Sequence, residues 1–266
     1  MILRFVENTG RLLIERAESS GATLSLLVRS IPWLRLAPKR HREISALAFT
    51  YGVRSLPVVI VVAAFTGMIV SLQTGLALMQ YGQQEIMGNI VAIAMCREMG
   101  PFITALILTA TAGSSIAAEL GTMKVSEEID ALEVMSVPVE KFLVMPRIVA
   151  LLLVCPTLTL LTMILGTAGG SVIAAQQLGV DFRIFWDNAT EALRTPSWFF
   201  GLPKDVYTGL TKSLVFGVSI AVVACANGLA ARGGALGVGR AARNAVIVSF
   251  LLILIFGYFM TWIFYR

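Results

Sequence analysis

The chain has 266 residues, of which 57% are hydrophobic and only 14% charged, with a formal net charge of +5. That composition excludes an ordinary soluble domain. Three cysteines in separate segments (Cys96, Cys155, Cys225) and a lone His41 give no metal-ligand spacing and no disulfide framework, so no metal site is expected and the cysteines read as small packing residues.

At the N-terminus, Arg4, Glu7, Arg11, Glu15 and Glu18 recur at three- and four-residue steps, with Phe5, Val6, Leu12 and Leu13 largely on another face. The spacing predicts an amphipathic helix on the inner leaflet, the alternative being a plain soluble helix. Its dispersed charges, with no apolar stretch following them, are unlike a signal peptide. The segment SSG at 19–21 interrupts it, and LSLLVRSIPWLRL continues as a second interfacial piece ending near Pro32 and Trp33. Residues 1–48 are therefore read as an interfacial elbow segment and residues 49–266 as the membrane domain.

Five charge-free runs follow, at 55–84, 99–118, 148–180, 213–231 and 244–265. Crossing a hydrocarbon core of ~30 Å takes about 20 apolar residues, so each run can span once. Without water to satisfy the backbone the spans must be helices, and the alternation of a membrane β-barrel is missing. Small residues recur every fourth position: Gly67, Ser71 and Gly75 on the first span, Gly113, Ala117 and Gly121 on the second, Gly166 and Gly170 on the third. Such stripes admit close helix contact, here expected mainly within one chain. The outer loop 181–212 carries Trp186, Trp198, Phe199 and Phe200, which predicts a helix at about 181–200 resting on the outer surface. RGGALGVGR (232–240) lacks the lysine of a phosphate-binding loop and reads as a short hairpin between spans. Tyr258, Trp262 and Tyr265 near the C-terminus fit an aromatic belt, with Arg266 reaching the headgroups.

With the N-terminus inside, 15 of the 21 Lys and Arg residues fall on the cytoplasmic side, so the positive-inside rule selects N-in, C-out. The excess of positive charge then reflects topology and anionic lipid, and no nucleic acid is implied. The fold class is an all-α polytopic membrane protein: amphipathic interfacial helices, then five transmembrane helices.

No run holds an Asp, Glu, Lys, Arg or His, whereas ion-coupled carriers keep such ionisable groups near the midplane. No nucleotide-binding loop occurs either. The energy source is expected in another subunit.

The insert AAELGTMKVSEEIDALEVMSVP (117–138) gathers Glu119, Glu127, Glu128, Asp130 and Glu133 against one base, Lys124. Val125, Ile129, Leu132 and Ser136 share one narrow helical face, Met135 lies at its edge, Ser126 suits the N-cap with Glu127 and Glu128 in the first turn, and Pro138 ends the helix. The pattern predicts a cytoplasmic helix at about 125–137 between the second and third spans. It is either a solvated loop helix or a docking handle for a separate motor, whose basic groove the acids would steer.

REMGP (97–101), AAELGTMKVSEEIDALEVM (117–135) and VMPRIVA (144–150) closely resemble the MlaE (YrbE) family of ABC-transporter permeases, from about residue 45 to the C-terminus. The resemblance implies a homodimeric, non-enzymatic permease in the inner membrane of a Gram-negative bacterium. It would move phospholipid between inner and outer membranes with a cytoplasmic ATPase, a small STAS-domain protein and a periplasmic MCE-domain ring. ATP and magnesium would be bound by the ATPase, leaving this chain without a cofactor. The family's coupling helix maps onto Glu127, Glu128, Asp130, Ala131, Glu133, Val134 and Met135. Many members carry Gly-Arg-Val where this chain has Ala110-Thr111-Ala112, so an intramembrane arginine is replaced here by Thr111.

A phospholipid needs a mainly apolar site with a few polar groups at one rim. The expected wall is SLQTGLALMQY (71–81), from which Leu72, Leu76, Met79 and Tyr81 project. At the rim Arg97 would meet a phosphate and Glu98 would orient it, or the two simply form an interfacial ion pair ending a helix. Two other functions remain open: a membrane scaffold that recruits a partner without transport, and an ion-coupled secondary carrier.

Overall fold

The computed structural model describes residues 21–194 and 203–266. The expected helix at 1–18 and the aromatic residues Trp198, Phe199 and Phe200 lie outside the described residues. All described regular structure is helical, and five stretches are long and apolar enough to cross a membrane: Gly21–Met79, Gln84–Val125, Glu140–Gln177, Lys204–Leu229 and Gly234–Tyr265. Each contains most or all of one charge-free run.

Helix α1 (residues 21–30) passes into a 3₁₀ stretch, Ile31–Arg40, and then into α2 (His41–Met79). Leu26 and Leu27 pack on the core while Leu24, Val28 and Ile31 stay exposed, an amphipathic arrangement. At about 1.5 Å per residue, α2 is nearly twice as long as a hydrocarbon core is thick, so it projects beyond the membrane. It also runs unbroken across residues 48 and 49.

The second stretch combines α3 (Met87–Ala94), α4 (Gly100–Leu108) and α5 (Ser114–Val125), joined by π-helical turns at Met95–Met99 and Thr109–Gly113. Each wider turn shifts the side chains that follow onto a new face. Helix α6 (Glu128–Val134) sits outside the bundle, and α7 (Met145–Gln177) returns through its centre. Helix α8 (Phe182–Ala192) is capped by Asp181, whose carboxylate accepts from the Arg183 amide at 2.7 Å. Phe185 drives α8 into a cluster with Met87, Val91, Met95 and Leu178. Helices α9 (Lys204–Leu229) and α10 (Gly234–Tyr265) form the last hairpin. Its turn is only 230–233, and the rest of the glycine-rich run is the start of α10, with Gly233 and Gly234 at φ 87° and 67° where a side chain would be strained.

The small-residue stripes are seams within the chain. On α2 the buried positions Tyr51, Ser55, Val59, Ala63, Gly67, Ser71 and Gly75 step by four residues, one ridge laid along α7. A Cβ on Gly67 would fall 1.7 Å from the Gly166 carbonyl oxygen, and the Ser71 hydroxyl donates to the Gly170 carbonyl at 2.8 Å. Gly113 faces Ile220 and Gly121 faces Ala231, so the second stripe packs on α9 and its turn. By contrast α10 touches chiefly α9 and α5, and leaves Ile247, Phe250, Leu251, Leu254, Tyr258 and Phe259 exposed.

Candidate functional site

Two places on the bundle carry polar chemistry, one at each end. At the first end, α5 leads to α6 through a sharp reversal: Glu127 adopts a left-handed backbone, φ 61°. Ser126 is not the N-cap the sequence predicts. Its hydroxyl lies 2.9 Å from the Thr122 carbonyl and 3.0 Å from a Glu128 carboxylate oxygen, so it closes α5 instead of opening α6. Helix α6 is correspondingly shorter than expected. Only Ile129 of α6 is buried, at 1% exposure, and it holds the helix to the bundle. Glu127, Glu128, Asp130, Ala131 and Glu133 are exposed, and so are two apolar side chains, Val134 at 86% and Met135 at 65%. Lys124 is paired with Asp130. Behind α6, Arg147 is nearly buried, donates to the Leu143 carbonyl at 2.7 Å and reaches Glu119 at 3.3 Å.

At the opposite end, the π turn Met95–Met99 aims two adjacent charges at α9. Arg97 donates from Nε and Nη2 to one oxygen of Asp205, at 3.0 and 2.9 Å, and its guanidinium stacks 3.9 Å above the Tyr265 ring. The Tyr265 hydroxyl donates to the same Asp205 oxygen and lies 2.9 Å from Thr208 Oγ1. Glu98 pairs with Lys212, whose ammonium also donates to the Arg97 carbonyl at 2.9 Å and to Thr261 at 2.8 Å. The Thr261 hydroxyl reaches Glu98 at 2.6 Å. The Lys212 side chain is 1% exposed, that of Glu98 40%. Two acids and two bases cancel, and each buried donor has an acceptor, which is what keeps such charges tolerable inside a helix bundle.

Glu98 also borders an open groove of ≈ 310 Å³ between α4 and α10, lined further by Met99, Phe102, Leu254 and Tyr258. The remaining predicted lipid residues lie elsewhere on the same end. Leu72 is half-buried on α2, whereas Leu76, Met79 and Tyr81 are exposed along the end of α2 and its turn. Arg97 and Glu98 instead face α9 and α10. Asp205, Thr208, Lys212, Thr261 and Tyr265 were not anticipated as partners. The available signal was the i, i+3, i+7 spacing of Asp205, Thr208 and Lys212, one face of a helix that the charge-free criterion had cut short. Tyr265, expected in an aromatic belt, turns inward to Asp205.

These features meet a recognisable pattern. The profile of the family described as Permease MlaE matches residues 44–263. The chain belongs to the MlaE permease family. A probable ABC transporter permease protein of Synechocystis is 36% identical over 215 residues, covering 81% of this chain and 79% of the relative. A probable ABC transporter permease protein of Rickettsia felis is 34% identical with both chains fully covered. The intermembrane phospholipid transport system permease protein MlaE of Haemophilus influenzae is 28% identical over 98% of this chain and 97% of its own length. The chain is thus a multi-pass ABC transporter permease of the MlaE family, with membrane-capable helices where the family match runs.

Proposed function

We propose that this permease moves phospholipid between membranes, driven by a cytoplasmic ATPase that grips α6. The observation that carries the reading is the state of α6: a short helix whose one buried side chain is Ile129, presenting carboxylates around the bare Val134 and Met135 side chains. An apolar anchor within a charged rim is the form of a protein docking surface. Because α6 is rooted in α5 and leads back into α7, force on it reaches both spans.

The lipid reading takes its support from the Haemophilus relative, named for intermembrane phospholipid transport, and from the opposite end, where a mainly apolar groove is bordered by Glu98 and the exposed Leu76, Met79 and Tyr81 flank the end of α2. Arg97 and Glu98 act there as fixed members of the ionic cluster, and a headgroup would compete for Arg97 with Asp205. The unpartnered apolar face of α10 suits a second copy of the chain, as a homodimer requires. A STAS-domain protein on the cytoplasmic side and an MCE-domain ring on the periplasmic side complete the assembly, with N-in, C-out orientation in a Gram-negative inner membrane.

The test is charge reversal at Glu127, Glu128 and Asp130, all to Lys, in the complex purified from native membrane. The permease keeps its unfolding midpoint, while copurified ATPase and nucleotide-dependent lipid movement fall to background. Retention of both would sink the docking assignment, and lipid movement that followed an ion gradient and ignored nucleotide would favour a secondary carrier.

A further inference from the structure

A cavity of ≈ 310 Å³ lies between α1 and the last hairpin, apart from both α6 and the Arg97 cluster. Helix α9 lines it with Ser219, Val223 and Asn227, which step by four residues. Helix α10 faces them with Val248, Leu252 and Phe256 at the same step, and Leu24 and Leu27 of α1 form the third wall. Each ridge runs for about 12 Å at 1.5 Å per residue. Leu252 and Phe256 point away from Leu254 and Tyr258, the side of α10 left for a second copy, so a dimer formed there does not fill the groove.

The two ends of the groove differ chemically. Asn227 stands two residues before the end of α9, next to Gly228, which packs on Ala117 and Leu120 of α5, and so lies at the α6 end of the bundle. Val218 and Phe256 lie deeper in the spans. Ser219 is committed, its hydroxyl donating to the Val215 carbonyl at 2.7 Å. Asn227 is only half committed. One N–H of its amide donates to the Val223 carbonyl at 2.8 Å, whereas the second N–H and the side-chain oxygen have no partner among the described residues, and that oxygen is accessible. An amide left unpaired beside hydrocarbon costs free energy.

These groups select the guest. No Asp, Glu, Lys, Arg or His lines the groove, so a charged headgroup would go uncompensated there. A bare acyl chain matches the apolar length but leaves the amide unpaired, and an ether or ketone can only accept from it. A hydroxyl donates to the Asn227 oxygen and accepts from its N–H, which satisfies both.

We infer that this groove binds an uncharged lipid alcohol, with its hydroxyl on the Asn227 amide and its hydrocarbon laid between α9 and α10 toward the midplane. Such a guest touches α1, α9 and α10 together, so its binding ties the elbow to the last hairpin. It is distinct from a transported phospholipid, and the site stands whether or not lipid is moved.

The full chain in non-ionic detergent is photolabelled with a diazirine-bearing octanol, and the adducts are mapped by peptide mass spectrometry. Adducts are expected on Val223 and Leu252, displaced by octanol at concentrations about tenfold lower than by octyl methyl ether or octanoate, the factor one hydrogen bond supplies. Asn227→Leu removes the amide at similar volume and should weaken labelling about tenfold, while Leu252→Trp fills the groove and should abolish it. Equal displacement by octanol and the ether would refute the alcohol, and this series is read on the wild type, so it decides even if a variant fails to fold. Displacement by dioctanoyl phosphatidylglycerol as effective as that by octanol would give the groove to phospholipid tails and overturn the proposal. Labelling unchanged in both variants, with unchanged unfolding midpoints, overturns the site itself. Because no ATPase is present, none of these results depends on whether α6 couples transport.

Discussion

The Glu98–Lys212 pair makes an asymmetric prediction. The Lys212 side chain is 1% exposed and that of Glu98 is 40% exposed, so the two partners do not suffer equally when left alone. Substituting Glu98→Gln strands a buried ammonium that keeps only the Arg97 carbonyl and the Thr261 hydroxyl. Breaking a buried pair in this way costs about 3–5 kcal/mol, and the two remaining acceptors place the loss near 3. Substituting Lys212→Met leaves a carboxylate that reaches the groove and solvates there, so the loss is about 1–2 kcal/mol, the range for one charged hydrogen bond. Removing both charges, E98Q with K212M, is expected to cost less than E98Q alone, because no uncompensated ion remains. Reversible unfolding in mixed micelles supplies the free energies for the cycle. A K212M variant as unstable as E98Q, or a double variant equal to the sum of the singles, would show that the ammonium is not held by this pair.

Gly67→Ala should destabilise the bundle by about 1–3 kcal/mol, since its new methyl meets the Gly166 backbone, while Gly239→Ala, with open space around it, should stabilise α10 by about 0.5–1 kcal/mol. Thermal unfolding of the two variants side by side checks the contrast. Val134→Ser with Met135→Ser leaves stability within about 0.5 kcal/mol but weakens ATPase association about tenfold or more, measured by copurification against permease concentration. Tyr265→Phe removes one hydroxyl from Asp205 while keeping the ring beneath Arg97, so it should lower stability by about 1 kcal/mol without releasing Arg97. A loss as large as that from Asp205→Ala would mean that the hydroxyl, and not the guanidinium, holds the carboxylate.

Much of this architecture could be read in one dimension. Apolar length decides membrane crossing, so the charge-free runs located all five spans, and four-residue spacing of Gly67, Ser71 and Gly75 announced a close seam. The acidic insert was equally plain, because a cluster of carboxylates beside apolar residues has no role inside a bilayer. The same criterion misjudged the ends. It cut the second span at Glu98 and the fourth at Lys212, whereas the helices continue through both residues. A local scan assigns a charge the cost of being alone, and residues more than a hundred positions apart cancel that cost only after the helices have packed. The left-handed Glu127 that hands Ser126 to α5 and the inward turn of Tyr265 belong to the same class. Sequence thus determined what lies in the membrane and which segment stands outside it. Tertiary packing alone decided which charges meet, since pairing depends on distances between helices that no stretch of chain contains by itself.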